Sequence, residues 1–124
     1  MGVEHTAALG IDQKIYAWGN NLAGQLGDFT TTAKSTPVAV LNSVEKFKDV
    51  TAGYYNTWGI DLVGDLWGCG ANDLGQIGNN TNVNVSVPVL IIAGQNIVQV
   101  EANSTGTIAL TEDGRVYVWG TTLS

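Results

Sequence analysis

One segment of this chain is repeated at a fixed spacing. Residues 17–27 read AWGNNLAGQLG, residues 68–78 read GCGANDLGQIG, and a third copy opens at Val118-Trp-Gly120. Aligned glycines in the first two copies lie 51 positions apart, as Gly19 and Gly70 do. The chain is therefore a repeat protein. A period of about 50 residues with strand-like content is typical of the blades of a β-propeller, in which each unit buries its apolar faces against its neighbours.

The alternation of side chains predicts a β-hairpin at the start of each period, because alternate residues of a strand face opposite sides of a sheet. First strands are expected at Thr6–Ile11, Thr57–Leu62 and Thr107–Thr111, and return strands at Ile15–Trp18, Leu66–Cys69 and Val116–Trp119. Two-residue connections join them, and Asp113-Gly114 in the last hairpin is a strong turn signal. No segment predicts a helix, so the expected fold class is all-β.

A loop rich in Gly and Asn follows each of the first two hairpins. Its glycines allow positive φ and its apolar residue can anchor the turn, so we interpret these loops as structural. The repeated structural motif comprises Trp18, Gly19, Gly24, Gln25, Gly27, Gly70, Gly75, Gln76, Gly78, Trp119 and Gly120.

Two more strands are expected in each period. The outer strands begin at Pro37 and Pro88, since an initial proline marks a sheet edge or a strand start. A fourth strand, at Phe47–Ala52 and again at Ile97–Ala102, is expected to close its unit. The chain then contains a first repeat at residues 1–52, a second at 53–102, and the opening hairpin of a truncated third at 103–124.

Composition and charge disfavour several classes of function. Five basic and eleven acidic residues give a net charge of −6, which repels a phosphate backbone, so we expect no nucleic-acid partner. No apolar run approaches the roughly 20 residues of a membrane span, and no signal peptide precedes Gly2. We therefore expect no membrane association, and a cytoplasmic location is favoured while the compartment stays open.

Catalytic and metal-binding residues are scarce. The single Cys69 occupies the repeat position of Trp18 and Trp119, which indicates a small buried apolar residue, and no second cysteine or histidine pairs with it at metal-ligand spacing. There is one histidine, no Gly-x-Ser-x-Gly and no phosphate-binding Gly-x-x-x-x-Gly-Lys. Asp61 and Asp65 lie on opposite arms of one hairpin and are interpreted as solvated charges. We expect no enzyme activity, no metal and no cofactor.

The best candidate contact residues lie in the turns that precede the first strands. Repeat equivalence places these turns on one rim, where exposed tyrosines suit protein recognition. An alternative is that the tyrosines pack on a neighbouring blade and that the histidine and the first asparagine hold turn backbone. The candidates are Glu4, His5, Tyr54, Tyr55, Asn56, Asn103, Ser104 and Thr105.

The combined pattern resembles the regulator of chromosome condensation repeat. It consists of Thr-x-x-Leu/Ile, Asp-Gly-x-Val-Tyr-x-Trp-Gly, Asn-x-x-Gly-Gln-Leu-Gly and a later proline, and it covers essentially the whole chain. Departures are Gln13 in place of the turn glycine, Cys69 in place of tryptophan, and an end at residues 121–124 before a third Gly-Gln-Leu-Gly. The resemblance implies a propeller, seven-bladed in the founding member, with four antiparallel strands in each blade.

About two and a half repeats leave open sheet faces and edges, which need a cover. The cover is either the remaining blades of the same propeller, other copies of the chain in a ring, or the rest of a large polypeptide. Residues 103–120 repeat the content of residues 2–19, so head-to-tail copies would carry a surplus hairpin. A fragment of a longer propeller is therefore favoured over a homo-oligomer.

Function is predicted only by class, because a fold does not determine an activity. The founding member of the family is a nucleotide exchange factor for a small GTPase and also binds chromatin, while many relatives are interaction modules. We predict a non-catalytic protein–protein interaction scaffold. One alternative is an exchange factor, or part of one. Another is an extracellular adhesion propeller, suggested by the glycosylation sequons that begin at Asn79, Asn84 and Asn103.

Overall fold

A computed structural model describes residues 5–40, 46–79, 81–103 and 106–120. Within those ranges the regular structure consists of β-strands, which confirms the all-β prediction. No helix in the described part of the chain is long and apolar enough to cross a membrane. The strands are β1 (His5–Leu9), β2 (Ile15–Gly19), β3 (Lys34–Ala39), β4 (Phe47–Ala52), β5 (Asn56–Asp61), β6 (Leu66–Gly70), β7 (Val85–Ile92), β8 (Ile97–Ala102), β9 (Gly106–Thr111) and β10 (Val116–Gly120).

The strands form three antiparallel sheets, with the orders β1-β2-β3, β4-β5-β6-β7 and β8-β9-β10. The sheets are offset from the sequence periods by one strand. We expected β4 and β8 to close their own units, but β4 pairs with β5 and β8 pairs with β9, across the short turns that follow them. Each period therefore ends in the first strand of the next sheet.

The outer strands β3 and β7 lie at sheet edges, as their prolines predicted. Pro37 and Pro88, however, are the fourth residues of these strands and not the first. Both lie where the pairing register shifts, opposite residues 17–19 and 68–70. A proline is tolerated there because an irregular edge strand does not require its missing N–H for the ladder.

The cores lie between successive sheets. Ile15 and Ala17 of the first sheet pack with Phe47 of the second. Between the second and third sheets, Trp58 is fully buried, and its ring meets that of Trp119 edge to face at 6.0 Å. Buried members of the second core are Trp58, Ile60, Leu66, Ile77, Ile97, Val100 and Ala109.

One cross-strand pair shows how volume is balanced inside the sheet. Trp58 is the register partner of Gly68, and a Cβ built on Gly68 would lie 2.4 Å from Cζ3 of the indole. The equivalent pair in the first sheet is Ala7 with Ala17, two small residues. The large ring of Trp58 is therefore accommodated only because its partner has no side chain.

The hairpin turns hold the first strand of the next sheet. The carbonyl of Gln13 accepts the N–H of Phe47 at 2.8 Å, and that of Gly64 accepts the N–H of Ile97 at 2.9 Å. Gly64 has a φ of 89°, whereas Gln13 adopts the same left-handed region at 65°. Gln13 thus keeps the function of the turn glycine at a conformational cost that glycine would not carry.

The Trp58 pairing predicts a steric penalty for a single methyl group. Gly68→Ala should lower the free energy of unfolding by about 1 to 3 kcal/mol, the usual cost of overpacking. Chemical denaturation measures it. In a Trp58→Ala background the same change should cost much less, because the clashing ring is gone. An equal cost in both backgrounds would contradict this explanation.

The first hairpin turn predicts a stabilising substitution. Gln13→Gly should raise the free energy of unfolding by about 0.5 to 1 kcal/mol, because it relieves a left-handed non-glycine residue at only a modest entropic cost. The matched control is the reverse change at the equivalent turn, Gly64→Gln, where a Cβ would lie 2.9 Å from Cα of Asn96. This control should destabilise. If Gln13→Gly also destabilises, its side chain has a stabilising role that the turn geometry does not contain.

Candidate functional site

One end of the sheets carries the turns before the hairpins and the long loops after them. We call it the loop end, and it comprises residues 20–33, 53–55, 71–79, 81–84 and 103. The N–H of Ala71 donates to the carbonyl of Tyr55 at 2.9 Å, which joins a turn to a loop. The opposite end, called the hairpin end, consists of residues 10–14, 62–65 and 112–115. Of the predicted contact residues, Tyr54, Tyr55 and Asn103 belong to the loop end.

Three of the candidate contact residues are exposed there. Tyr54 is 44% exposed and Tyr55 36%, and their rings meet edge to face with centroids 6.2 Å apart. Asn103 is exposed in the equivalent turn of the next sheet, where its Oδ1 accepts the N–H of Gly106 at 2.9 Å. The tyrosines thus present large ring surfaces to solvent. Glu4, Ser104 and Thr105 lie outside the described residues.

His5 and Asn56 are buried, so the expectation that they contact a partner needs correction. Nε2 of His5 lies 2.9 Å from Oγ1 of Thr57, whose own proton goes to the carbonyl of Gln25. The imidazole is therefore the donor, and burial lowers the pKa of His5 to about 4. Nδ2 of Asn56 donates to the carbonyl of Ala71 at 2.7 Å. His5 thus binds a side-chain hydroxyl and Asn56 a backbone carbonyl. These contacts are close to the alternative in which both residues hold turn groups and do not contact a partner.

The first loop is organised by Asn21, a buried residue to which the sequence analysis gave no role. Its Nδ2 faces four oxygens, namely Oδ1 of Asp28 at 3.2 Å, the carbonyl and hydroxyl of Thr30 at 2.9 and 3.1 Å, and the carbonyl of Thr32 at 3.0 Å. Its Oδ1 accepts the N–H of Leu26 at 2.9 Å. One carboxamide thus ties both halves of the loop together.

Asn72 does the same in the second loop. Its Nδ2 faces Oδ1 of Asn79 at 3.0 Å, both oxygens of Thr81 at 2.9 and 3.1 Å, and the carbonyl of Val83 at 3.1 Å. Its Oδ1 accepts the N–H of Ile77 at 2.9 Å. The available signal was the repeat spacing itself, because this asparagine, like the threonine it binds, recurs at 51 residues.

The motif glutamine of the first loop docks its backbone on the next sheet. The carbonyl of Gln25 accepts the hydroxyl of Thr57 at 2.5 Å and the thiol of Cys69 at 3.6 Å. Burial raises the pKa of the Cys69 thiol to about 12, so it is no nucleophile near neutral pH. We call this arrangement, one loop carbonyl between two donors of a neighbouring sheet, a carbonyl dock.

A second carbonyl dock joins the second loop to the third sheet. The carbonyl of Gln76 accepts the hydroxyl of Thr107 at 2.8 Å and the indole N–H of Trp119 at 2.7 Å. Cys69 and Trp119 occupy equivalent repeat positions and donate to equivalent carbonyls. The departure of Cys69 from the motif therefore preserves the direction of the hydrogen bond.

The two loops differ in one charged pair. Nζ of Lys34 lies 2.8 Å from Oδ2 of Asp28 and also contacts the hydroxyl of Thr30 and the carbonyl of Thr32. The equivalents 51 residues later are Asn79 and Val85, both uncharged. Burial acts to raise the pKa of Asp28, but the hydrogen bonds from Lys34, Thr30 and Asn21 outweigh it and lower that pKa to about 2.

The suspected carboxylate pair in the second hairpin has a structural role. Asp61 is buried and accepts the N–H groups of Val63 and Asp65 and the indole N–H of Trp67. Oδ1 of Asp65 accepts the N–H of Gly94 at 2.9 Å. The expectation that both are merely solvated charges is wrong, since each fixes a turn. Within the described ranges no group of three acidic, His or Cys side chains could hold a metal ion.

The charged pair predicts a coupled response to mutation. Asp28→Asn leaves the Lys34 ammonium without its carboxylate and should lower the free energy of unfolding by about 1 to 2 kcal/mol. The double variant Asp28→Asn/Lys34→Val reproduces the chemistry of the second loop, so it should cost about 1 kcal/mol less than the sum of the single changes. Additive single effects would show that the pair is not coupled.

The same pair makes stability depend on acid. Because the pKa of Asp28 is lowered from 3.8 to about 2, its stabilisation is fully present above pH 3.8 and is lost as pH falls towards 2. Denaturation midpoints between pH 4 and 2 should therefore fall less in the double variant than in the natural chain.

The chain is similar to known repeat proteins over nearly its whole length. The family model of the regulator of chromosome condensation (RCC1) repeat matches residues 12–60 and 63–110. Human probable E3 ubiquitin-protein ligase HERC4 is 34% identical over 123 residues, which cover 96% of this chain and 12% of that protein. The ultraviolet-B receptor UVR8 of Arabidopsis thaliana is 34% identical, over 96% of this chain and 28% of that protein.

Solved structures agree in fold. Human WBSCR16 superposes with a TM-score of 0.88 at 24% identity, over 97% of this chain and 31% of that one. Prp20p of Saccharomyces cerevisiae gives a TM-score of 0.83 at 24% identity, over 97% and 32%. This chain thus spans a third or less of each of these proteins. With two family repeats matched in sequence and the same sheet architecture in space, the chain belongs to the RCC1 repeat family and forms part of a β-propeller.

Proposed function

We propose that this chain is a non-catalytic, protein-binding part of an RCC1-type propeller and that it contacts its partner through the loop end. The observation that carries the proposal is the exposed pair Tyr54 and Tyr55 on a turn with fixed backbone. Aromatic residues of this kind supply much of the binding energy at protein interfaces.

The turn that carries the tyrosines is held from both sides. The N–H of Gly53 donates to the carbonyl of Asn56 at 2.9 Å, and the carbonyl of Tyr55 accepts the N–H of Ala71. A Cβ on Gly70 would lie 2.2 Å from that same carbonyl, so only glycine permits this approach. Because the backbone is ordered before binding, a partner would restrict only the two side-chain torsions of each ring.

Apolar side chains on the adjoining loops extend the available surface. Leu22 is 81% exposed, Leu74 44% and Val83 69%. All three lie in the loops that the carboxamides of Asn21 and Asn72 close from within. An apolar centre with polar surroundings is the usual composition of a protein interface. This composition supports a protein partner more than a small polar ligand.

Catalysis receives no comparable support. His5 is buried with a lowered pKa, and the Cys69 thiol is buried with a raised pKa. Relatives include ubiquitin ligases and, at 36% identity, the dog X-linked retinitis pigmentosa GTPase regulator, yet this chain covers 12% of that protein and of HERC4. In such proteins we assign to this segment a binding role and place any chemistry elsewhere.

The sequons also have a structural explanation. Oδ1 of Asn79 accepts hydrogen bonds from Nδ2 of Asn72 and from the hydroxyl of Thr81. Oδ1 of Asn84 accepts a hydrogen bond from the backbone N–H of Asn72 at 2.8 Å. Asn103 caps its own turn. The asparagines thus have structural contacts that explain them without a glycan, and the sequons give the adhesion alternative no separate support.

The proposal predicts a binding defect without a folding defect. A photo-cross-linking amino acid at Tyr54 should capture a defined partner in source cells, while the same group at Val63, 69% exposed at the hairpin end, should not. With that partner purified, Tyr54→Ala/Tyr55→Ala should weaken binding by more than about tenfold. Titration calorimetry measures the affinity.

Val63→Ala is the matched control and should leave the affinity unchanged. Both variants should unfold within about 0.5 kcal/mol of the natural chain, because they truncate exposed groups. Unchanged affinity in the tyrosine variant, with stability lost instead, would assign the rings to packing and refute the proposal.

A further inference from the structure

The first loop exposes two large apolar side chains. Leu22 is 81% exposed and Phe29 is 73% exposed, and neither belongs to the two buried cores. They directly follow Asn21 and Asp28, whose side chains are joined by a hydrogen bond from Nδ2 to Oδ1 at 3.2 Å. One closed loop therefore carries both apolar side chains.

Leu22 leaves a buried amide group without a partner. The carboxamide of Gln25 is fixed because its Oε1 accepts the N–H of Ala23 at 3.0 Å, but its buried Nε2 has no hydrogen-bond partner among the described residues. In the second loop Nε2 of Gln76 donates to Oδ1 of Asp73 at 3.3 Å, and Asp73 occupies the repeat position of Leu22. The first loop lacks this acceptor, and a buried unpaired N–H destabilises the fold.

Phe29 destabilises the loop in a different way, through its backbone. Its φ is 69°, in the left-handed region that a bulky residue rarely adopts. A hydrogen bond between sheets holds this conformation, since the N–H of Phe29 donates to the carbonyl of Ser86 in β7 at 2.8 Å. At the equivalent position, 51 residues later, the sequence has Asn80, and asparagine accepts positive φ more readily. The backbone of Phe29 thus serves the fold, while its ring is exposed.

Two unrelated penalties therefore coincide with the two exposed apolar side chains of one loop. The second repeat has a polar residue at both positions, so the repeat does not require leucine or phenylalanine there. Residues that break a local rule with no gain for the fold are typical of functional sites. We propose that Leu22 and Phe29, which we call the anchor pair, insert into an apolar pocket of a partner protein. This inference rests on the proposed function, because it assigns further contact residues to the loop end.

The charges near the anchor pair favour a protein pocket over a membrane surface. Lys34, the basic residue nearest in sequence to Phe29, is paired with Asp28 at 2.8 Å. Residues 30–32 are three exposed, uncharged threonines. Reversible membrane binding usually combines apolar side chains with basic ones, and the net charge of this chain is −6. An apolar pocket with an uncharged polar rim is complementary to this surface.

Thermal unfolding of the complete natural polypeptide tests whether the anchor pair is unfavourable for folding. Leu22→Asn offers Gln25 an uncharged acceptor, and Phe29→Asn relieves the left-handed backbone, so each should raise the thermal midpoint by at least about 1 °C. Leu74→Asn is the matched control, because Leu74 is exposed in the second loop without either penalty, and it should not raise the midpoint. If either anchor variant fails to raise the midpoint, the proposal is wrong.

Cross-linking in source cells tests the partner. A photo-cross-linking phenylalanine analogue at Phe29 should capture a protein through apolar residues, as identified by mass spectrometry. Adding Leu22→Asn should reduce the captured amount at least about fivefold, and Val63→Ala at the hairpin end should not. With that protein purified, Leu22→Asn/Phe29→Asn should weaken its binding at least about tenfold by titration calorimetry.

Several outcomes of this experiment would overturn the proposal. They are the absence of a captured protein, capture or affinity that the asparagine substitutions leave unchanged, and attachment to polar residues, to a second copy of the polypeptide or to another segment of the same one. Vesicles of phosphatidylcholine and phosphatidylserine test the membrane alternative. The polypeptide should not sediment with them, and sedimentation that Leu22→Asn/Phe29→Asn abolishes would identify a lipid surface instead.

The anchor pair and the tyrosines can fail separately. If Tyr54→Ala/Tyr55→Ala binds the captured protein normally while the anchor variant does not, the role proposed for the tyrosines is wrong and the anchor pair stands. If the anchor variant is more stable and binds normally while the tyrosine variant does not, the anchor pair is wrong and the proposed function stands.

Discussion

The structure depends on one hydrogen-bond acceptor in each period, the backbone carbonyl of the motif glutamine. Gln25 and Gln76 each place this oxygen between two donors of the following sheet, and a buried carbonyl without donors would be costly. The acceptor can be presented because Asn21 and Asn72 hold the loop closed from within. Loop order and sheet packing are therefore a single cooperative arrangement, as expected when each repeat is stabilised mainly by its neighbours.

The repeat spacing predicted the strands well, because alternation and turn glycines are local properties of the sequence. It misplaced the sheet boundaries, because a repeat period gives the length of a unit but not the strand at which each sheet begins. Which strand begins a sheet is decided by pairing, and the short turn at Gly53 makes β4 and β5 a hairpin. The proline position was missed for a related reason, as the register shift that tolerates it arises only when β6 and β7 pair.

The candidate site was predictable only in part. Exposure of Tyr54 and Tyr55 agrees with the sequence analysis, and burial of His5 and Asn56 agrees with its alternative that these side chains hold neighbouring groups. Burial of Asp61 does not agree with the expected solvated charge. Polar residues in turns are usually solvated, and these three are enclosed only because neighbouring strands and loops close over them. Differences between the repeats also depend on tertiary contacts, because a residue changes together with the residue that it touches. Trp58 requires Gly68, and the Asp28 and Lys34 pair is replaced as a unit in the second loop.

The loop end combines two requirements that would conflict in a single set of residues. The carboxamides of Asn21 and Asn72 and the carbonyls of Gln25 and Gln76 face inward, where they bind groups of the loops and of the following sheets. The turn that carries Tyr54 and Tyr55 is fixed through backbone atoms, and the two rings contact each other edge to face, so their positions are set without a hydrogen bond from either ring. The proposed binding role is compatible with this arrangement, because a repeat scaffold can keep its structural motif while its exposed turn residues change. Among the described residues, no hydrogen bond of the loops or sheets depends on the two rings.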